Sequence, residues 1–140
     1  MSQDNISILG KELSDLLLSK ADLLEKTLKD FIVNITSENL NDIIKNNNLV
    51  FLFFTAEWCG PCITFMQSFR EVASMHLMPK VTYGKVDVDS SYSVADKFKI
   101  KHIPSILIIV NGEVVDTVVG QTDKDKLESK ITSYIKSVLK

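Results

Sequence analysis

Seven residues in a row, Leu49-Val50-Phe51-Leu52-Phe53-Phe54-Thr55, constrain this chain more than any other stretch, because six of them are apolar and they do not alternate with polar ones. A strand with one wet face alternates, so a uniformly apolar run of this length belongs in the middle of a sheet covered on both sides. The polar run Lys45-Asn46-Asn47-Asn48 before it reads as a solvated turn. Directly after it comes Trp58-Cys59-Gly60-Pro61-Cys62, which holds the only two cysteines of the 140 residues.

The strand is expected to deliver these thiols to the first turn of a helix. There the backbone N–H groups lack intrahelical partners and the helix dipole is positive, so a Cys59 thiolate is favoured over the thiol. Pro61 fits an opening turn because it has no N–H to lose, and Gly60 leaves room for another backbone to approach. Cys62, one turn deeper, is expected to stay a thiol until a mixed disulfide forms on Cys59, and then to attack it. Two other uses of a Cys-x-x-Cys pair fit less well. A closed zinc site needs two more ligands, and His76 and His102 lie 26 positions apart rather than at the short spacing of such sites. A purely structural bridge over so short a loop would add little chain-entropy stabilisation.

The remaining chain alternates in period. Ile8 to Phe31 places Leu9, Leu13, Leu16, Leu17, Leu24 and Leu28 at helical steps, which predicts an amphipathic helix over about residues 1–30. Its apolar stripe needs cover from its own domain, from a second copy in a homodimer, or from a partner. A strand at 31–35, a helix begun by Thr36 or Ser37, the apolar strand, a helix from Cys62 to Met75, a strand at 81–88 and a short helix at 93–99 follow. This alternation implies an α/β sheet with right-handed crossovers. Asp87 and Asp89 read as a solvated strand end. Ser105–Val110, Asn111-Gly112 and Glu113–Val119 form a hairpin signature, and Thr122-Asp123-Lys124-Asp125 starts a capped last helix.

Composition narrows function. A net charge of −2 and a single arginine, Arg70, argue against nucleic-acid binding. No apolar run approaches the ~18 residues that span a bilayer, and the acidic, Arg-poor start resembles neither a secretory signal nor a transit peptide. A soluble cytoplasmic protein whose cysteine pair is reactive rather than structural is the expectation.

A strand ending in Trp-Cys-Gly-Pro-Cys, a later Ile103-Pro104-Ser105 before an antiparallel hairpin, and Gly120 ahead of a last helix together resemble the thioredoxin family. The resemblance covers about residues 31–140 and implies a thioredoxin fold, a mixed central sheet in βαβαβαββα order flanked by helices. It leaves residues 1–30 as a helical extension. It also implies a protein-disulfide reductase with no cofactor or metal beyond its own Cys59–Cys62 pair, recharged by a thioredoxin reductase. Pro104 is then the cis-proline near the cysteines, the Ile103 backbone pairs with an extended client segment, and Trp58, Gly60, Pro61, Ile103 and Gly120 form an apolar rim.

Three departures from the family pattern matter. The buried aspartate expected five residues before the tryptophan is Phe53, so Lys85 loses the partner it has in the family, and Glu57 or water is left to take the Cys62 proton. Ile63 stands where a cation is frequent, and Gln67 where a proline often kinks the helix. His102 either lies near Cys59, where its protonated form favours the thiolate, or is an exposed loop imidazole. Two further readings stay open: a disulfide isomerase or oxidase on the same fold, although Gly-Pro in the spacer resembles the reducing members, and a thioredoxin-like adaptor that binds through its N-terminal helix.

Overall fold

A computed structural model describes residues 31–139; the amphipathic helix expected over 1–30 lies outside the described residues. The elements are β1 (Ile32–Asn34), α1 (Leu40–Asn46), β2 (Leu49–Thr55), α2 (Gly60–Met75), β3 (Val81–Asp87), α3 (Tyr92–Lys97), β4 (Ser105–Val110), β5 (Glu113–Val119) and α4 (Lys124–Val138). They form one five-stranded sheet in the order β1-β3-β2-β4-β5. β1 and β2 both run parallel to β3, while β4 runs antiparallel to β2 and to β5. This is the mixed sheet of a thioredoxin fold.

The apolar run is β2, the central strand, and every one of its residues is buried. Its side chains point alternately to two cores. On one face Val50, Leu52 and Phe54 pack with Leu40 of α1, Val94 of α3, and Leu107 and Ile109 of β4. On the other, Phe53 lies against Phe65 and Phe69 of α2, with ring centroids 5.6 and 5.2 Å apart, and Phe51 stacks on Tyr83 at 5.3 Å. Leu127, Ile131 and Ile135 of α4 are buried, as the last helix's apolar stripe requires. Gly84 of β3 lets β1 close in: a β-carbon there would stand 2.6 Å from Ile35 Cγ1.

Local signals set several boundaries. Asn111 and Gly112 take φ of 48° and 86°, the left-handed pair that a tight primed turn demands. Asp123 caps α4 by accepting the Lys126 N–H at 2.8 Å. α1 begins later than Thr36 or Ser37, because Asn39 Oδ1 accepts the Thr36 N–H at 2.8 Å and Thr36 Oγ1 the Glu38 N–H at 3.3 Å. These side-chain bonds make a turn of residues 37–39 before the helix proper. β5 carries a bulge: its register with β4 shifts between Ile108 and Ile109, which oppose Asp116 and Val114 and leave Val115 unpaired.

Candidate active site

Parallel pairing of β2 with β3 brings Thr55 opposite Asp87, and antiparallel pairing with β4 brings Phe54 opposite Ser105. The chain leaving β2 therefore emerges beside the exit of β3 and the entry of β4. Clustering of loops at the carboxyl ends of parallel strands is where open α/β sheets build sites.

At that end Ala56 is still buried and its carbonyl accepts the Cys59 N–H at 3.2 Å. Cys59 has extended dihedrals and is the N-cap of α2, with Pro61 in the first turn. Its Sγ accepts the Cys62 N–H at 3.3 Å, so the sulfur itself serves as the capping acceptor of an otherwise unpaired donor. Cys59 and Cys62 are joined in a disulfide, with Cα atoms 5.2 Å apart. Cys59 keeps 5% of its surface exposed, and Cys62 none.

On the β4 side the Ile103–Pro104 peptide bond is cis and Pro104 is buried. The Pro104 carbonyl accepts the Gly120 N–H at 2.8 Å, which ties the end of β5 to the proline; Gly120 does so at φ 80°, where a side chain is strained. The Ser105 hydroxyl donates to the His102 carbonyl at 2.6 Å. His102 is exposed and lines a cleft with Phe98 and Val119, whereas Glu57, Cys62 and Lys85 share a different one. That second cleft, of about 320 Å³, also takes in Ile63, Met66 and Asp87. Beneath it, the position opposite Lys85 in the β2–β3 register is Phe53, whose ring fills its place with the α2 aromatics. α2 continues without a break past Gln67.

At the exit of β3, Asp89 is exposed and Asp87 half-buried, and both carboxylates accept hydrogen bonds there. Asp89 Oδ2 accepts the Trp58 indole N–H at 2.8 Å, and Asp87 Oδ1 accepts the N–H groups of Asp89 and Ser90 at 2.8 and 3.2 Å. The Trp58–Asp89 bond depends on the Thr55–Asp87 register, which sets the two loops side by side, whereas the Asp87 bonds are local, to residues two and three further on. Among the described residues no group of His, Cys, Asp or Glu is arranged to hold a metal ion, and no helix is long and apolar enough to cross a membrane.

Comparison with known proteins gives this geometry a family. The family model described as Thioredoxin matches residues 31–133. Thioredoxin H-type 2 of Nicotiana tabacum is 38% identical over 105 residues, covering 75% of this chain and 86% of that protein. The thioredoxin of Chlamydia trachomatis is 36% identical over 100 residues, covering 71% and 95%. Among solved structures, oxidised thioredoxin from Plasmodium falciparum superposes with a TM-score of 0.65 at 34% identity, covering 74% of this chain and 97% of its own. Thioredoxin from Trypanosoma brucei brucei gives 0.67 at 28% identity, covering 75% and 91%. With its cysteine pair bonded at the mouth of α2, the chain belongs to the thioredoxin family and is a protein-disulfide oxidoreductase that works through that pair.

Proposed function

We propose that Cys59 is the attacking thiolate and Cys62 the resolving thiol of a general protein-disulfide reductase. The observation that carries this reading is the Cys62 N–H donating to Cys59 Sγ at 3.3 Å, together with the full burial of Cys62. A donor aimed at a sulfur, at the positive end of a sixteen-residue helix, lowers the energy of that sulfur's anion.

The reaction starts from the dithiol form. The Cys59 thiolate attacks one sulfur of the client disulfide; that S–S bond breaks, and the departing client sulfur takes the electron pair and a proton. Cys62 then gives up its proton, attacks Cys59 Sγ, and expels the second client sulfur, which is protonated in turn. Two electrons and two protons have passed to the client, and the chain is left as the Cys59–Cys62 disulfide. Glu57 takes the Cys62 proton, directly or through water, since both line one cleft and Phe53 offers no acid. Lys85 brings a positive charge to the same cleft.

Pro104 keeps the position beside the cysteines free of an N–H, and the Ile103 backbone takes the client segment by strand addition. Trp58, Gly60, Pro61, His102, Ile103 and Gly120 form the surface on which the client rests. A β-carbon at Gly60 would meet nothing within 4 Å, which supports an open approach there. Electrons return from a thioredoxin reductase, and the compartment is the cytoplasm, where such thiols are kept reduced. A homodimer through the stretch before residue 31 is a further assignment, motivated by the helical spacing of Leu9, Leu13, Leu16, Leu17, Leu24 and Leu28; a concentration-independent monomer in sedimentation would remove it.

Reduction of insulin by the purified chain tests the reading. The wild type turns over with dithiothreitol as reductant, Cys59→Ser is inactive, and Cys62→Ser accumulates a mixed disulfide with the client. A Cys59→Ser protein as active as the wild type would end it.

A further inference from the structure

The chain between α3 and β4 runs Lys97-Phe98-Lys99-Ile100-Lys101-His102, and it sorts its side chains by character. Phe98 and Ile100 pack against the core around β2, with the Phe98 ring edge-on to Phe54 at 6.4 Å between centroids. The three lysines and His102 are exposed. Lys97 Nζ lies 5.8 Å from the centre of the Phe98 ring, and none of these lysines has a carboxylate partner among the described residues.

Lys99 stands where a side chain is unfavourable. Its φ is 54°, its N–H donates to the Asp96 carbonyl at 3.0 Å, and the Ile100 N–H donates to the Ala95 carbonyl at 2.9 Å. That pair of bonds is the Schellman ending of a helix, whose left-handed residue is usually glycine because a β-carbon is strained there. A lysine kept at such a position points to a use for its charge. Lys99, Lys101 and His102 line one cleft of about 240 Å³ together with Thr117 and Val119 of β5, and no aspartate or glutamate lines it. Asp116, next to Thr117 in sequence, is taken instead by Lys130 and Tyr134 of α4. A patch of uncompensated cations thus sits on a chain whose net charge is −2, and it leads straight into the cis Ile103–Pro104 bond.

We infer that Lys99 and Lys101 select client disulfides flanked by aspartate or glutamate. The occupant is the acidic stretch of an extended client segment, whose carboxylates face this cleft while the segment pairs with the Ile103 backbone. Charge complementarity carries the choice: ammonium groups with no acid beside them draw in anionic segments and speed their encounter. This assignment rests on the reductase reading above and names its substrate class.

Two symmetrical peptide disulfides test it, built from Gly-Glu-Gly-Cys-Gly-Glu-Gly and Gly-Lys-Gly-Cys-Gly-Lys-Gly. Each second-order reduction rate is divided by that with dithiothreitol, which cancels what the flanking charges do to the peptide's own sulfur. At about 0.01 M salt, where charges act over about 30 Å, the wild type favours the glutamate peptide by about tenfold. At about 1 M salt, with that length near 3 Å, the preference falls to about one. Lys99→Gly relieves the strained backbone and so folds; it and Lys101→Gln each lower the low-salt preference to about threefold or less. Lys99→Arg retains the preference, as does Lys45→Gln, which removes a cation from α1. A wild-type preference near one, one that persists in high salt, or one unmoved by both Lys99→Gly and Lys101→Gln overturns the assignment while leaving the reductase reading intact. An equal loss in Lys45→Gln makes it an effect of net charge and overturns it too. A preference that rises on dilution assigns the cleft to a second copy, with the same consequence. Failure to reduce either peptide or insulin removes the reductase reading, and this one with it.

Discussion

Phe53 of β2 and Lys85 of β3 stand opposite each other in the parallel register, and the Phe53 ring packs on Phe65 and Phe69 with centroids 5.6 and 5.2 Å away. An aromatic cluster thus occupies the place opposite Lys85 where, by family resemblance, a buried carboxylate is expected. An aspartate at this position would remove the Phe53 ring, strip Phe65 and Phe69 of its contact, and bury a charge. Phe53→Asp is expected to cost about 4 kcal/mol or more, from the lost ring and the desolvated carboxyl. Urea unfolding of the oxidised protein measures it, and a variant as stable as the wild type would contradict the role given to the cluster.

With no acid at Phe53, the proposed route for the Cys62 proton is the cleft that Glu57 and Cys62 both line. Glu57→Gln should slow client reduction by about tenfold, less than the usual general-base effect because Glu57 is exposed. Stopped-flow reduction at neutral pH reads the rate. An unchanged rate would leave water as the acceptor.

Two glycines serve different ends, and their alanine variants separate them. At Gly84 the new β-carbon lies 2.6 Å from Ile35 Cγ1 and 3.0 Å from Leu52 Cδ2, both in fully packed side chains, and should cost about 2–3 kcal/mol. At Gly120 nothing lies within 4 Å, so only the backbone at φ 80° resists, at about 1 kcal/mol. Thermal unfolding of the pair should preserve that order; Gly120→Ala as the more damaging change would refute it.

Asp116 on β5 ties down α4. Lys130 Nζ donates to Oδ2 at 2.9 Å, as does the Tyr134 hydroxyl at 2.9 Å, and the Thr117 N–H donates to Oδ1 at 2.8 Å. The Lys130 bond foremost holds the carboxyl below the usual range, against a smaller opposing effect of burial. A pKa lowered on folding gives stability that is present above the unfolded value, near 3.9, and is lost as pH falls through the folded one. Asp116→Asn should therefore cost about 1 kcal/mol at neutral pH, discounted for partial exposure, and the gap should close as pH falls through the folded value. Urea midpoints at neutral pH and in acid check the sign; a gap that widens in acid would contradict it.

What was legible in the sequence was whatever a short window contains. The unbroken apolar run of β2, Cys59 at a helix mouth, the Asn111-Gly112 turn and the Asp123 cap are each decided within a few residues, by burial, an unpaired donor or a permitted φ. What stayed hidden depends on register between distant strands. Asp89 meets Trp58 across 31 positions because Thr55 pairs with Asp87. The Val115 bulge arises from how β5 settles on β4. Phe53 could be read as a missing acid, but not as the centre of a cluster with Phe65 and Phe69, since that requires knowing how α2 lies on the sheet.

The claim under all of this is that one sulfur of the pair is held anionic at the helix mouth while the other waits beneath it. Iodoacetamide alkylation of the fully reduced chain at neutral pH, mapped by mass spectrometry, addresses it directly. Cys59 is predicted to be labelled first and nearly alone. Labelling of Cys62 ahead of Cys59, or of neither sulfur, would contradict the account.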